Sequence, residues 1–393
     1  MRERELNKLD GFEAHTDEEE DDDDDDDEEI EEDEDEDEDD EASGYGETEV
    51  EEQIIDMAGD EFVLASYVKE DEPADWMQTL HVKCIKDGRV VGTARGRYVD
   101  RDKNWMRANF WTEMDAASED LSTIGFELFD RYGRLKEEFK SHIVRKGSGV
   151  WGDELDLGSF FVIEHLLVNA AWRRKGIGSK LTNTLMSNSR KSSRSPVFMI
   201  VLPGVLTEDV NAEMRFKPDR EQAEFRSRAI EAAIAFYRFL GFRRVGASLC
   251  FGLATDPDHR ARSILPEADF DPREAAEEED FFDEPSYVVD WEGSYRLQDF
   301  QERYPLQLAV STLKDDICVK LFKESKFTED QWTKCDRFSQ NILHHAASSL
   351  KPRVVRWLLE NSDQTFPFAR SVDGYTPLEA LQAQLDNRRG TCH

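Results

Sequence analysis

The stretch VNAAWRRKGIGSKL, from Val168 to Leu181, decides how the middle of this 393-residue chain folds. It follows the nearly continuous apolar run SFFVIEHLLV, which has the length of a buried strand. Behind it, Ile177, Leu181 and Leu185 share one face of a helix. A strand, a glycine-rich turn and a helix in this order present unpaired backbone N–H groups and the positive end of the helix dipole. The pattern therefore predicts an anion-binding turn.

The letters of the turn exclude two familiar phosphate motifs. Gly176 and Gly178 remove side chains where an anion would approach the backbone, and three basic residues precede them. A Walker P-loop requires G-x-x-x-x-G-K-[ST], whereas these glycines stand two residues apart. The dinucleotide fingerprint G-x-G-x-x-G lacks its third glycine, because Leu181 stands there. Neither a nucleotide P-loop nor a dinucleotide site is predicted.

Periodicity around the turn predicts a mixed α/β domain over residues 59–264. TLHVKCIKDGRVVGTARGRYV is typical of a β-hairpin turning at Asp87-Gly88, and Phe62 to Val68 is a candidate first strand. Apolar residues at steps of three and four predict one helix over about 117–141, and PVFMIVL is a second buried strand. A longer helix ends at Gly241, before the strands FRRV and SLCFGLA. This order predicts a mixed sheet flanked by helices.

Two motifs in this domain resemble the GNAT N-acetyltransferase superfamily. EHLLVNAAWRRKGIG is similar to the family's R-x-x-G-x-G loop and its preceding strand, and AIAFYRFLGFRRVG is similar to its late helix-to-strand motif. The resemblance covers about residues 75–255 and implies acetyl-CoA as co-substrate, without a metal. It implies pantetheine pairing by strand residues and pyrophosphate binding by loop residues: Leu166, Leu167 and Val168, then Arg173, Arg174, Lys175, Gly176, Ile177 and Gly178, with Ser179 just inside the helix.

The resemblance also implies two catalytic candidates. Tyr237 matches the family tyrosine that faces the cofactor sulfur, and we expect it to act as general acid; the alternative is a buried phenol in an aromatic core face. Glu164 is the only carboxylate from Phe160 to Val168, and strict alternation places it on the face of Val168 and opposite His165. Some family members use this position for the substrate amine; the alternative is a rim carboxylate paired with an arginine.

The need for a base depends on the acceptor. Deprotonating a lysine amine at pH 7 costs about 4.6 kcal/mol, whereas an α-amine costs about 1 kcal/mol. Glu164 is therefore expected to matter for a lysine or polyamine acceptor and less for a protein N-terminus. One departure from the family is that the clear extra helix follows the hairpin instead of preceding it. The segment from Gly204 to Pro218 is long for a connection and is a candidate lid or substrate loop.

Charge is segregated along the chain. The formal net charge is -38, and 24 of the 25 residues from Asp17 to Glu41 are acidic. We expect residues 1–58 to be a disordered acidic tail and residues 265–298 to be an acidic linker. The tail could attract a basic partner such as a histone tail, could fold back onto the basic loop, or could serve solubility alone.

The last part of the chain, residues 299–393, resembles ankyrin repeats. DGYTPLEA keeps the G-x-T-P-L core, and Leu306, Leu343 and Leu378 recur at spacings of 37 and 35. Glu379 stands where the family has histidine, and His344 and His345 are expected to be turn hydrogen bonders. A small all-α module of this kind either caps the first domain or binds a protein partner.

Cysteine usage and hydropathy indicate the cellular compartment of the protein. The five cysteines are widely spaced and form no C-x-x-C, which argues against a disulfide framework or a zinc site. No secretory leader or membrane span is predicted, so we expect a cytoplasmic or nuclear protein that binds neither membrane nor nucleic acid directly.

The sequence thus predicts an acetyl-CoA-dependent N-acetyltransferase acting on a primary amine, of a protein or a small molecule, in a ternary complex. The alternative is a catalytically inactive scaffold of the same fold, whose acidic and ankyrin-like regions bind proteins.

Overall fold

The computed structural model describes residues 47–57, 59–70, 76–102, 106, 108–190, 196–204, 214, 217–273, 304–324, 327–361 and 366–391. These residues belong to one compact unit, Gly46–His393. The expected acidic stretch before residue 47, most of the candidate lid and linker residues 274–298 lie outside the described residues.

The described chain forms an eight-stranded mixed sheet in the order β1-β2-β3-β4-β5-β6-β8-β7. Only β5 and β6 pair in parallel; the other neighbours are antiparallel. The predicted hairpin is confirmed, with Asp87 and Gly88 both at positive φ in its turn. The strands are β1 Glu47–Met57, β2 Asp60–Glu70, β3 Met77–Lys86, β4 Arg89–Val99, β5 Phe160–Val168, β6 Phe198–Val201, β7 Arg243–Arg244 and β8 Phe251–Ala254.

Helices cover both faces of this sheet. On one face, α1 and α2 enclose a core that includes Phe160 and Val162; on the other, α4 and α5 enclose a core that includes Phe161 and Ile163. Neighbouring residues of β5 thus point into different cores, as period-2 alternation requires. The helices are α1 Phe110–Ala117, α2 Glu119–Leu128, α3 Glu137–Ser141, α4 Ile177–Ser189 and α5 Asp219–Phe239.

The single helix expected over 117–141 is wrong. The chain leaves helical geometry at Phe129, which forms an isolated bridge with Leu135. Between them, Asp130 Oδ1 accepts the backbone N–H groups of Tyr132 at 2.8 Å and Arg134 at 2.9 Å. A side chain that binds the backbone locally competes with helical hydrogen bonds, which apolar spacing does not reveal.

Two predicted boundaries also need correction. Strand β1 lies within the expected disordered tail and pairs along its length with β2, so the expectation of disorder is wrong for Glu47–Met57. The expected linker from residue 265 begins as a packed segment, because Asp269 is buried and accepts hydrogen bonds from two arginines. The remaining helices follow it: α6 Pro305–Thr312, α7 Asp315–Glu324, α8 Glu329–Thr333, α9 Ile342–Ser348, α10 Pro352–Asn361 and α11 Pro377–Thr391.

The leucine spacing marks equivalent helix positions. Leu306, Leu343 and Leu378 are the second residues of α6, α9 and α11, and the first two are buried whereas Leu378 is 72% exposed. The described residues of 304–391 are helices and short turns without a strand. The ankyrin identity of this helical module stays a prediction.

Glu379 and His344 hold the same position, the third residue of α11 and of α9. His344 Nε2 donates to the Tyr375 carbonyl at 3.0 Å, in the turn before α11. Glu379 Oε1 instead lies 3.3 Å from His142 Nε2, in the segment after α3. At α9 the third residue therefore contacts the turn before α11, whereas at α11 the third residue contacts the domain that contains the β-sheet.

The Tyr375 turn strengthens this contact. The Tyr375 hydroxyl donates to the carboxylate of Glu138, and the Arg145 guanidinium lies 4.7 Å from the centroid of the Tyr375 ring. These contacts favour the interpretation of the helical module as a cap on the sheet domain. Binding of a protein partner by the module stays a prediction.

Candidate active site

The glycine turn has the backbone geometry of an anion-binding nest. After β5, a 3-10 turn at Ala170–Trp172 leads to Arg174 at φ 63° and Gly176 at φ 85°, and α4 begins at Ile177. Left-handed residues interleaved in this way turn successive N–H groups toward one point. The first N–H groups of α4 have no helical partner. The described turn therefore offers backbone donors at the positive end of a helix.

The two glycines serve different purposes. At position 176 glycine is favoured by the backbone conformation and not by lack of space. A Cβ there would meet nothing within 4 Å, but φ is 85°, a left-handed value that other residues rarely adopt. Gly178 has helical geometry, and a Cβ there would make ordinary contacts, 3.5 Å from Phe236 and 3.8 Å from Val168. The protein itself could accommodate alanine at position 178. The missing side chain thus leaves the amide open to a ligand.

The three basic residues of the turn are exposed around these donors. Lys175 Nζ lies 4.1 Å from the ring centroid of Trp172, which packs edge-on against Phe62. Arg173 Nε donates to the Val168 carbonyl at 2.8 Å, which ties the turn to the end of β5. Cations held beside helix-terminal N–H groups favour an anion of more than one charge.

Strand β5 runs past its parallel neighbour. The pairing of β5 with β6 extends only from Phe160–Phe198 to Ile163–Val201. The residues from Glu164 to Val168 continue without a described strand on the β6 side, while on the other edge His165 to Val168 pair with β4. An unpaired strand edge can accept an extended, amide-bearing chain. This edge ends at the glycine turn.

The end of α5 meets the same place. Phe236 lies beside Gly178, and both motifs contribute to one apolar cluster that includes Val168, Trp172, Ile177 and Tyr237. Tyr237 is 7% exposed and packs edge-on against Phe236 and Phe242. Burial raises the pKa of its phenol well above the usual value. Among the described residues, none forms a hydrogen bond with its hydroxyl.

A β-bulge corrects the expected orientation of Glu164. Arg95 pairs with His165 and Gly96 with Ile163, so no residue of β4 stands opposite Glu164 in the ladder. Beyond the bulge, Leu166 and Val168 pack against the cluster of Ile163, whereas the Glu164 side chain bonds Ser118 at the start of α2. Glu164 therefore lies on the opposite face from Val168, and the face inferred from strict alternation is wrong. A bulge adds one residue and shifts the alternation after it.

The same shift moves His165. Its partner across the ladder is Arg95, whose Nε lies 3.4 Å from Glu164 Oε2. Directly paired residues share a face of the sheet. His165 therefore lies on the side of Glu164, not opposite it.

Glu164 lies in an ion-pair cluster. Its side chain is 1% exposed, Oε1 accepts from Ser118 Oγ at 2.7 Å, and Oε2 lies 3.2 Å from Arg97 Nε. Burial, followed by the nearby charge of Glu164, raises the pKa of Asp120 in the first turn of α2. The geometry favours the alternative in which Glu164 pairs with arginine. Its role as base stays a prediction.

Sequence reasoning missed the partners in this cluster. Arg95 and Arg97 stand two residues apart in β4, so period-2 spacing already placed them on one face. Ser118 carried the signal of a helix cap, and it accepts the N–H of Leu121 at 3.2 Å. Nothing in the local pattern joined these residues to Glu164, because the contact depends on the pairing of β4 with β5.

The chain matches no protein-family model, and no curated protein matches it. Among solved structures, the chain is similar to an apo mutant of an agmatine N-acetyltransferase, with 12% identity and a TM-score of 0.23, over 44% of this chain and 75% of the other. A polyamine N-acetyltransferase of Drosophila melanogaster that forms N-acetylagmatine shows 12% identity and a TM-score of 0.22, over 44% and 74%.

Of the helices that the structure describes, none combines the length and the apolar character needed to cross a bilayer.

Proposed function

We propose that this chain is an N-acetyltransferase that transfers an acetyl group from acetyl-CoA to a primary amine in a ternary complex. One observation carries the proposal: a nest of backbone donors lies at the end of β5, beyond the stretch that pairs with β6, and Tyr237 belongs to the apolar cluster behind it. The sequence motifs that resemble the GNAT family supply the same three parts.

The residues present fit coenzyme A. The open amide at Gly178 and the cations Arg173, Arg174 and Lys175 would hold the pyrophosphate. The edge of β5 from Leu166 to Val168, which has no described strand on the β6 side, would pair with the pantetheine amides. Acetyl-CoA supplies the activated acyl group as a thioester.

Positioning supplies the largest part of the rate. Holding amine and thioester in line is worth roughly 7–11 kcal/mol, whereas a general acid or base adds about 10²- to 10⁴-fold. The departing thiolate needs a proton, and Tyr237 is the residue that we assign to donate it. Because burial raises the pKa of the phenol, Tyr237 keeps its proton at neutral pH. The attacking nitrogen must lose one N–H proton as it becomes the amide, and this proton returns through solvent to the tyrosinate.

The acceptor amine must be neutral when it attacks. The cluster of Glu164, Arg95 and Arg97 borders the bulge in the same strand that would hold the pantetheine. We propose that this cluster fixes the bulge and sets the electrostatic potential at the site where the amine enters. A basic protein segment and a small polyamine both remain acceptors to be tested.

Binding and turnover test the proposal in sequence. Isothermal titration of the full chain with acetyl-CoA should give saturable binding with one site per chain. Release of free thiol should then be screened with α-amines, lysine peptides, histones and polyamines as acceptors. Failure to bind acetyl-CoA at millimolar concentration refutes the proposed function. Binding without turnover on any acceptor class would favour the inactive-scaffold alternative.

A further inference from the structure

A segment after the last strand is bonded to the end of α5. The described residues from Ile264 to Asp271 follow β8 and include the 3-10 turn Pro266–Ala268. Three arginines of the α5-to-β7 turn, Arg238, Arg243 and Arg244, bond to this segment. Arg238 directly follows Tyr237 in the last turn of α5, and Arg243 and Arg244 form β7.

Asp269 is the centre of these contacts. Its side chain is fully buried, and Oδ2 accepts from Arg238 Nε at 2.9 Å and from the Arg244 backbone N–H at 3.1 Å. One carboxylate thus joins the last turn of α5 to β7. Breaking a buried charged contact by removing one partner leaves the other uncompensated.

Arg243 closes the turn from the other side. Its guanidinium donates to the carbonyls of Arg238 at 2.9 Å, of Phe242 at 2.6 Å and of Ile264 at 2.6 Å. Carbonyls at the end of a helix have no helical partner, and a cation satisfies both their hydrogen bonds and the helix dipole. The Tyr237 carbonyl accepts the Phe242 N–H at 3.0 Å inside this loop. The Tyr237 carbonyl and the backbone that follows it are therefore fixed by residues outside α5.

We propose that Asp269 is a positioning residue for the acetyl transfer, acting through Arg238 and the Arg244 amide to hold the Tyr237 hydroxyl at the reacting thioester. This inference rests on the proposed function. Asp269 itself touches neither co-substrate; it sets the tilt and rotation of the last turn of α5. A displacement of about 1 Å in a reacting group can lower a rate roughly a hundredfold.

The test compares four full-length proteins: wild type, Asp269→Asn, Tyr237→Phe and the double variant. Asparagine keeps the size of the side chain and one acceptor but removes the buried one of the two carboxylate charges that hold Arg238, the other being Asp271 at 2.7 Å. We expect Asp269→Asn to lower kcat roughly ten- to hundredfold while KM for acetyl-CoA stays within about twofold. The decisive comparison is in the Tyr237→Phe background, where Asp269→Asn should change kcat by less than about twofold.

Glu267→Gln is the matched control, because Glu267 lies in the same segment, loses the same charge and is exposed. Its kcat should equal that of the wild type. Amide exchange at Phe242 gives a readout independent of turnover, and it should accelerate in Asp269→Asn and not in Glu267→Gln.

The outcomes separate the two proposals. A wild-type chain that binds no acetyl-CoA or transfers no acetyl group overturns the proposed function, and the role of Asp269 falls with it. An active wild type in which Asp269→Asn leaves kcat unchanged overturns the positioning role alone. So does a loss of kcat that is equally large with and without the Tyr237 hydroxyl, because the damage is then general.

Discussion

The two glycines of the turn should respond to alanine in opposite ways. Gly178 has helical geometry and room for a Cβ, with its closest neighbour at 3.5 Å. Replacing a helical glycine by alanine stabilises by roughly 0.5–1 kcal/mol. Gly176 stands at φ 85°, where a Cβ costs about 1–2 kcal/mol. The free energy of unfolding should therefore rise in Gly178→Ala and fall in Gly176→Ala.

Binding should not follow stability. A Cβ at position 178 would stand where a phosphate oxygen approaches the turn amides. Losing one hydrogen bond to a charged group costs about 1.5–3 kcal/mol, which weakens binding roughly ten- to 150-fold. Gly178→Ala is thus expected to be the more stable protein and the poorer ligand binder. A variant that is merely misfolded cannot show both effects.

Urea unfolding and isothermal titration with coenzyme A measure the two quantities on the same samples. For a domain of this size, 1 kcal/mol corresponds to about 2–4 °C in the midpoint of thermal unfolding. Desulfo-coenzyme A controls for contacts of the thiol end, since it keeps the pyrophosphate. Unchanged affinity in Gly178→Ala would refute the assignment of the turn to the pyrophosphate.

Three further predictions concern single side chains. Tyr237→Phe should lower kcat roughly a hundredfold or more with little change in KM for acetyl-CoA; unchanged turnover would remove it from the mechanism. Glu164→Gln should lower the free energy of unfolding by roughly 3–5 kcal/mol, against less than about 1 kcal/mol for the exposed Glu119→Gln. The pH profile of kcat/KM tests the base role separately: loss of its acidic limb in Glu164→Gln would assign that role to Glu164, and persistence of the limb would exclude it. Burial alone would raise the pKa of Glu379, but its hydrogen bonds lower it from 4.5 to about 2. Its contribution to stability is therefore present above about pH 4.5 and is lost as pH falls toward 2, which urea unfolding of wild type and Glu379→Gln between pH 3 and 7 would show.

Sequence alone determined the parts whose physics is local. The apolar run of β5, Gly176 at positive φ and the face of α4 follow from side-chain periodicity and from the conformational freedom of glycine. The hairpin and the end of α5 at Gly241 followed from turn chemistry in the same way. These signals placed the candidate anion turn and Tyr237 in the correct elements.

Only the tertiary structure decided the contacts between distant elements. The bulge at Glu164 reverses the face inferred from alternation, because register against β4 and not the sequence of β5 sets it. Arg97 and Ser118 reach Glu164 from two other elements, and Asp269 reaches Arg238 across 31 positions of chain. A buried charge takes whichever partner the packed elements bring near, and no local pattern encodes that choice.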